Sequence, residues 1–440
     1  MQLSSSRKST SYAIHCVAVA LALGYFCLAI WSKQPGGVTL FPFLGLMGSM
    51  SAILFGFYGV TKNVSFEMSF GFVLGWAVIY RLIALVGAPV MEDDQYRFML
   101  DGCVFLEYGN PYGVSPLSLF AGNNLSRECA DTLNWVNNPH LATIYGPVLE
   151  VLFAISSWVS PANVSVLQIL MASFDIGVIV ILSLYTSPRN VMLYAWCPLV
   201  LKEFAFTAHP DVVSVFLLLW AFYLGRTRRP LLAAAALACA CAAKVFALVL
   251  APFLLLLLPP RAWIVFVITV AVWYLPFLLI GDGGTSILSI FASSWLFNPT
   301  VFLGLTTLFN DTSARLIALA LFTALWGTYL LIWWPTRTLN GLPRGDILFA
   351  VFLLLSPVFN AWYGIWILAF AVIRPSMWAW SFSIALLLSY VTGINWLESG
   401  LHAYEMADWA VWLEMGILGI AVLIYGVRHL SQRNKIKVSL

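Results

Sequence analysis

"PVLEVLFAISSWV" (residues 147–159) is apolar apart from Glu150, Ser156 and Ser157, and its length decides how the rest of the chain is threaded. A helix needs about 20 apolar residues to cross the hydrocarbon core of a bilayer. This stretch is shorter. If it crosses, every later connection changes side; if it folds back or lies at the surface, none does. Positive charge chooses between the two, because cytoplasmic connections collect Lys and Arg. With the N-terminus inside and 147–159 not crossing, the cytoplasmic connections hold Arg189, Arg226, Arg228, Arg229, Arg261, Arg337, Arg344, Arg374, Arg428, Arg433, Lys435 and Lys437. Arg7, Lys8 and Lys62 join them, against only Glu67 and Asp346 among the acids. The stretch is therefore read as a re-entrant or juxtamembrane helix.

Composition supports a membrane reading for the whole chain. Of 440 residues, 61% are hydrophobic and 9% charged, and mean hydropathy is +0.91. A soluble domain carries roughly 25% charged residues. With so little charge the surface must face lipid, where the backbone has to satisfy itself within helices or a closed barrel. Apolar runs of helical length recur at 12–31, 38–60, 69–90, 163–186, 190–207, 211–225, 231–243, 245–258, 262–280, 313–334, 346–358, 361–373, 376–393 and 409–427. The expected fold is an all-α polytopic membrane protein, a bundle of about 13–14 full or partial transmembrane helices. The shorter runs are half-helices or pairs meeting inside the bilayer. The chain reads as one membrane domain, 1–440, with an outer loop at 91–160 carrying juxtamembrane or re-entrant helices and a second outer loop at 281–312. The first run lacks a small-residue cleavage site and reads as a retained span.

The net charge of +3, without a basic cluster, excludes a nucleic-acid surface. Cys16, Cys27, Cys197, Cys239 and Cys241 lie in apolar runs as small hydrophobes. Cys103 and Cys129 fall in a polar stretch, where they pair in an oxidising compartment or stay free. No CxxC spacing suggests a metal, and no internal repeat suggests a transporter.

The same threading gathers Glu92, Asp93, Asp94, His140, His209, Asp211, Lys244, Asp282, Asn298 and Asn360 on the outer face, which the count of positive charge did not require. Region 91–146 alone carries Glu92, Asp93, Asp94, Asp101, Glu107, Glu128 and Asp131 against Arg97 and Arg127. The acids begin at "EDDQYRFMLDG" (92–102), where an apolar run ends. From Asp94 to residue 108 the pattern reads as an amphipathic helix lying on the outer leaflet, with Tyr96, Met99, Leu100, Cys103, Val104 and Leu106 on its apolar face and Gly109-Asn110-Pro111 ending it.

Each polar candidate has a bland account beside a functional one. Asp94 is either an N-cap favoured by the helix dipole or a general base that takes a hydroxyl proton. Arg97, one turn on, either keeps Asp94 ionised or binds a phosphate through both guanidinium nitrogens; Asp101 is its alternative partner. Lys244, between two short apolar runs, either snorkels to the surface or binds an anion there. His209 is a loop histidine with Asp211 as the next helix's cap, or a substrate ligand whose imidazole Asp211 orients. His140 and Tyr145, like Trp362 and Tyr363, suit either an interfacial belt or a sugar-binding wall. Arg81 and Asp175, within spans, are a structural pair or functional groups. Lys202 and Glu203 read as structural.

"EDDQYRFMLDG" followed by "GNPYGVSP" resembles the first outer loop of the polyprenyl-phosphate-sugar-dependent glycosyltransferases of the GT-C class, in its bacterial mannosyltransferase-like branch. Further stretches resemble that branch in order: "NNPHLATIYGPV" (137–148), "YAWCPLVLKEFAFTAHPD" (194–211), "AAKVFALVLAP" (242–252), "WLFNPTVF" (295–302) and "SPVFNAWYGIWIL" (356–368). The resemblance spans about 90–370. Cys197 stands where Asn is common, Ala208 where Gly is common, and Asn360-Ala361 where a His-Pro pair is common. Two N-terminal spans precede the loop beyond what the family usually has.

The resemblance implies a GT-C-type bundle and an inverting transfer of a hexose, with mannose expected, from a polyprenyl-phosphate donor to a hydroxyl acceptor. Asp94, or Asp93, is the implied base. Arg97, His209, Asp211 and Lys244, with Tyr145, His140, Trp362 and Tyr363, are the implied donor and substrate ligands. No metal or other cofactor is expected. The expected partners are the lipid-linked donor, a glycan, lipid or glycolipid acceptor and the bilayer, in a bacterial cytoplasmic membrane with both termini inside. The rival readings are a flippase or transporter of a lipid-linked sugar, which predicts polar groups across both leaflets, and a non-catalytic scaffold, which has no use for Asp93, Asp94 and Lys244 on one face.

Overall fold

The computed structural model describes residues 2–438 apart from 62, 63, 65, 66, 123 and 282, with side chains described from Tyr12 to Arg428. Among these residues the only β-contacts are isolated bridges, Phe297 with Val358 and Thr392 with Met406. The architecture is helical throughout. Six helices have the length and apolarity to cross a membrane: Tyr12–Trp31, Leu40–Thr61, Val164–Ser183, Pro260–Ile280, Asp311–Thr336 and Asp408–Arg428. The shorter apolar helices include Phe70–Val86, Pro147–Val159, Pro230–Ala243, Thr285–Ser294, Gly345–Leu355 and Met377–Tyr390. The all-α polytopic expectation therefore holds, with many of the expected spans realised as partial helices.

One expected pair of spans is instead a pair of helices bent sharply against each other. Pro198–Phe206 and Asp211–Arg226 meet at a bend of 111°. The first arm ends in a π-turn over Lys202–Phe206. Thr207 closes that turn, its Oγ1 donating to the carbonyls of Lys202 and Glu203 at 2.9 Å each. Ala208 then takes a φ of +57°, in the left-handed region. A glycine adopts that conformation freely; alanine pays about 1–2 kcal/mol. The bend places His209 in the link between the two helices and Asp211 at the start of the second.

The N-terminal helices are part of the same bundle. Tyr25 Oη donates to the Trp196 carbonyl at 2.8 Å and Tyr80 Oη to that of Ala18 at 3.0 Å. Arg81 is buried, with Nη2 2.6 Å from Asp175 Oδ2 and Nη1 2.7 Å from the Ala195 carbonyl. The two expected partners thus form a buried ion pair. Uncompensated, either charge is costly within a membrane span.

Pro147–Val159 has 13 residues, about 20 Å at 1.5 Å per residue. It lies along Asp94–Tyr108. Gly102 permits the close approach: a Cβ there meets the carbonyl carbon of Phe153 and the Ser157 hydroxyl at 2.5 Å. Ser157 Oγ donates to the Met99 carbonyl at 3.3 Å. Asp94–Tyr108 ends as expected, at Gly109 in the left-handed conformation with φ +71°. It does not expose a polar face, as a surface helix does. Arg97, Asp101, Cys103 and Val104 are all buried, because Leu100 and Val104 share a small core with Leu119, Leu133 and Val136 from the rest of the loop. A disulfide between Cys103 and Cys129 fastens that covering to the helix, with Cα atoms 6.1 Å apart.

Two later segments reach the same end of the bundle. Trp295–Phe297 is drawn in by backbone hydrogen bonds from Phe297 to the Pro357 carbonyl at 3.1 Å and from Phe359 to the Phe297 carbonyl at 2.9 Å. Residues 391–407 form a hairpin-like loop, with Ile394 donating to the Ala403 carbonyl at 2.8 Å.

Candidate active site

These elements enclose a cavity of about 230 Å³ at the N-terminal end of Asp94–Tyr108. Its walls include Glu92, Asp93, Asp94, Arg97, Asn137, Tyr145, Lys244, Asn360, Trp362, Tyr363 and Tyr404. The carboxylates are not there to cap a helix. Asp93 holds the N-cap position, and its side chain makes no capping hydrogen bond. Asn137 Nδ2 instead bridges the pair, donating to Asp93 Oδ1 at 2.9 Å and to Asp94 Oδ1 at 2.7 Å. Tyr404 Oη donates to Asp93 Oδ2 at 2.5 Å. His209 Nε2 lies 3.6 Å from Asp94 Oδ2, and the Asp94 side chain keeps 20% exposure to the cavity.

The two aspartates differ in acidity for reasons visible in their surroundings. Burial and the Asp94 charge push the Asp93 carboxyl up, more than its bonds from Tyr404 and Asn137 bring it down. Burial also pushes Asp94 up, but the hydrogen bond and charge of His209, the bond from Asn137 and the charge of Lys244 outweigh it. Asp94 is held below the usual carboxylate range. Glu92 goes the other way: burial, opposed by Lys202, pushes it up to about 8. Neighbouring acids driven apart in this way mark a place where proton chemistry can be divided between them.

Lys244 occupies the break after Pro230–Ala243, in an extended conformation. Gly146, at the start of Pro147–Val159, touches the Ala242 carbonyl beside this break. Lys244 Nζ lies 3.0 Å from Asp211 Oδ2 and 4.5 Å from the centre of the Tyr363 ring. It also lines a second, largely apolar cavity of about 460 Å³. The two cavities share Ile144, Tyr145, Lys244, Phe291 and Tyr363. A cation thus stands between a chamber that carries the carboxylates and a more apolar one.

Several expected roles change. Asp211 does not orient His209. Its Oδ1 accepts from Trp366 Nε1 at 2.9 Å and its Oδ2 serves Lys244, because it opens the helix after the bend and turns toward Lys244. Glu203 takes the His209 ring instead, at 2.9 Å from Nδ1. Arg97 does not neutralise Asp94: its Nε donates to Asp101 Oδ1 at 2.8 Å and its Nη2 to the Leu141 carbonyl at 3.0 Å. His209 and Lys244, not Arg97, are the basic side chains whose hydrogen bond and charge bring Asp94 down. His140 is exposed and outside the cavity wall. Asn298 is buried against Glu414, away from the cavity. Asp282 lies outside the described residues. Trp362 lines the cavity while stacking on His209, with ring centres 4.0 Å apart. Asn137, Tyr390 and Tyr404 belong to the site without having been singled out from the sequence, and Glu203, read there as structural, holds the His209 ring. Among the described residues no group of three or more His, Cys, Asp or Glu side chains is arranged to hold a metal ion.

Fold and cavity together define a polytopic all-α membrane protein with an acidic chamber and an adjoining apolar one at one end of its bundle. Residues 23–260, more than half of the chain, match the family model described as MptA_B family, alpha-(1->6)-mannopyranosyltransferase, N-terminal domain, and the chain belongs to that family. It is a membrane mannosyltransferase of GT-C type. The match begins at residue 23, so the end of the first helix and all of Leu40–Thr61, which looked like additions, lie within the matched region. No curated protein and no solved structure matches the chain.

Proposed function

We propose that the protein transfers mannose from a polyprenyl-phosphate donor to an acceptor hydroxyl on the outer face of a bacterial cytoplasmic membrane, with inversion and with Asp94 as general base. The observation that carries this reading is Lys244 at the junction of the two cavities, on the same chamber as Asp94. A lipid-phosphate sugar has that order of parts: an apolar tail, a phosphate and a polar ring. The prenyl chain lies in the apolar cavity, the phosphate against Lys244, and the mannose in the chamber beside Trp362 and Tyr363. Asp94 accepts the proton of the acceptor hydroxyl as that oxygen bonds to the anomeric carbon. The bond from that carbon to the phosphate oxygen breaks, and polyprenyl phosphate leaves with the electron pair beside Lys244. No resident metal is needed in this scheme.

Asp94 is preferred to Asp93 because it is the more acidic of the two and ionised at neutral pH, while Asp93 is occupied by Tyr404. The Cys103–Cys129 disulfide supports an outer-face site, since such bonds persist in oxidising compartments. The test is incubation of the purified full chain with labelled polyprenyl-phosphate mannose, glucose and arabinose and a glycan and lipid acceptor pool. Mannose transfer is expected. Asp94→Asn is expected to abolish it while donor binding is retained, and Asp93→Asn to weaken it. Activity with Asp94→Asn but not with Asp93→Asn exchanges their roles. Normal turnover by both and by the double variant ends the reading of this loop as catalytic.

A further inference from the structure

Behind the chamber, four ionisable side chains stand in a row. Lys202 Nζ lies 3.3 Å from Glu203 Oε1, Glu203 Oε2 lies 2.9 Å from His209 Nδ1, and His209 Nε2 lies 3.6 Å from Asp94 Oδ2. Lys202, Glu203 and His209 are all but sealed, at no more than 1% exposure. Ionisable groups in such surroundings are costly unless each finds a partner. Hydrophobic side chains of the same volume fill space without that cost, so packing alone does not account for the row.

The histidine is held on every side except one. Its ring stacks on Trp362, its edge meets Phe98 at 5.9 Å between ring centres, and its backbone N–H donates to the Glu203 carbonyl at 2.9 Å. Nε2 is buried without a hydrogen-bond partner, and it is directed at Asp94. A shift of well under 1 Å closes the gap, and catalytic hydrogen bonds are often long before substrate binds. His209 is not part of the chamber wall, whereas a ligand of the donor phosphate has to reach it.

We propose that Glu203 and His209 are positioning residues for the base: Glu203 fixes the imidazole through Nδ1–H, and His209, as an imidazolium, presents Nε2–H to Asp94 and keeps that carboxylate ionised and aimed at the acceptor. This rests on the reading of Asp94 as the base. His209 takes up no proton during transfer; the acceptor proton passes to Asp94 and from it to the chamber. Thr207 Oγ1 lies 3.1 Å from Nδ1 and 3.3 Å from Glu203 Oε2, completing the support of the ring. Tyr390 donates to Glu203, and Lys202 also reaches Glu92 at 3.4 Å. The titratable groups facing the relay include Glu92, Lys202 and Tyr390 on the Glu203 side, and Asp93, Lys244, Tyr145, Tyr363 and Tyr404 around Asp94.

The experiment measures pH–rate profiles and donor KM for Glu203→Gln and His209→Gln in the detergent-purified full chain, with Asp94→Asn as reference. Both variants are expected to lower kcat by roughly 10- to 10²-fold, the range that a misplacement of up to about 1 Å produces. Donor KM is expected to stay within about twofold. The acidic limb of the profile is expected to move to higher pH, because a carboxylate that loses its cation ionises at higher pH. A purely structural role lowers the active fraction without moving that limb. An unmoved limb, or a raised donor KM with kcat intact, overturns the relay. If Asp94→Asn is inactive while the limb stays put, only the relay fails; if Asp94→Asn is active, the base reading fails as well. Nitrogen-15 NMR of histidine-labelled unaltered protein tests the relay independently of the variants. Two protonated ring nitrogens on His209 at neutral pH are expected, and a neutral ring overturns the proposal.

Discussion

Asp93 and Asp94 are adjacent in the chain, yet their neighbours divide them. Asn137 bridges the two, Tyr404 occupies Asp93, and His209 stands over Asp94. The sequence makes the acids and Lys244 conspicuous, because charge beside an apolar run has to be explained. It does not reveal their partners. Tyr404 is 311 residues from Asp93 and Asn137 is 43 from Asp94, and no local pattern reports contacts at such separations. The spacing of His209 and Asp211 suggests a dyad that the structure does not contain, because the helix beginning at Asp211 turns that side chain to Lys244 instead. Lys244 carries the sharpest prediction at this scale. Lys244→Gln keeps the chain length and loses the charge proposed to receive the leaving phosphate, and is expected to cut transfer by roughly 10²-fold or more. Assay of the variant beside a folding check decides it: near-normal turnover returns Lys244 to a pairing role with Asp211 alone.

At the scale of elements, the two short helices at the heart of the site depend on one another. Asp94–Tyr108 buries polar and apolar residues together because Pro147–Val159 covers one side and the disulfide-bonded loop another. Its ends were legible, since Gly109-Asn110-Pro111 stops a helix wherever it lies. Its surroundings were not, because amphipathic periodicity does not distinguish a lipid surface from a protein one. The bend at Thr207–Pro210 was equally hidden: two apolar runs parted by a polar link look alike whether they are two spans or a sharply bent pair of helices. The disulfide closes a loop with a sequence separation of 26. Cys129→Ser is expected to cost about 3 kcal/mol, measured as a lower midpoint of chemical denaturation in detergent with helix content retained. An unchanged midpoint means that Leu100, Val104, Leu119, Leu133 and Val136 hold the loop without it.

For the whole molecule, apolarity and the distribution of Arg and Lys were enough to read an all-helical membrane bundle, and the outer-loop stretch with the five that follow it placed it among the GT-C enzymes. The number of complete crossings was less legible, because partial helices and full spans share one composition. Cysteine labelling in a cysteine-free background tests the threading. Positions 228 and 344 are expected to react only from the cytoplasm and position 124 only from the other side. Reaction of 228 and 124 from the same side means that 147–159 crosses after all. The adjoining chambers on either side of Lys244 carry a further consequence, for inhibition. A linear alkyl phosphate, with no sugar and no isoprene unit, mimics the departing half of the proposed donor and is expected to compete with it. Each added methylene buried beside Lys244 contributes about 0.8 kcal/mol, so inhibition should tighten about fourfold per carbon and then level off. The carbon number at the plateau measures, with a series of simple amphiphiles, how much of a carrier lipid the enzyme grasps and how much it leaves in the bilayer.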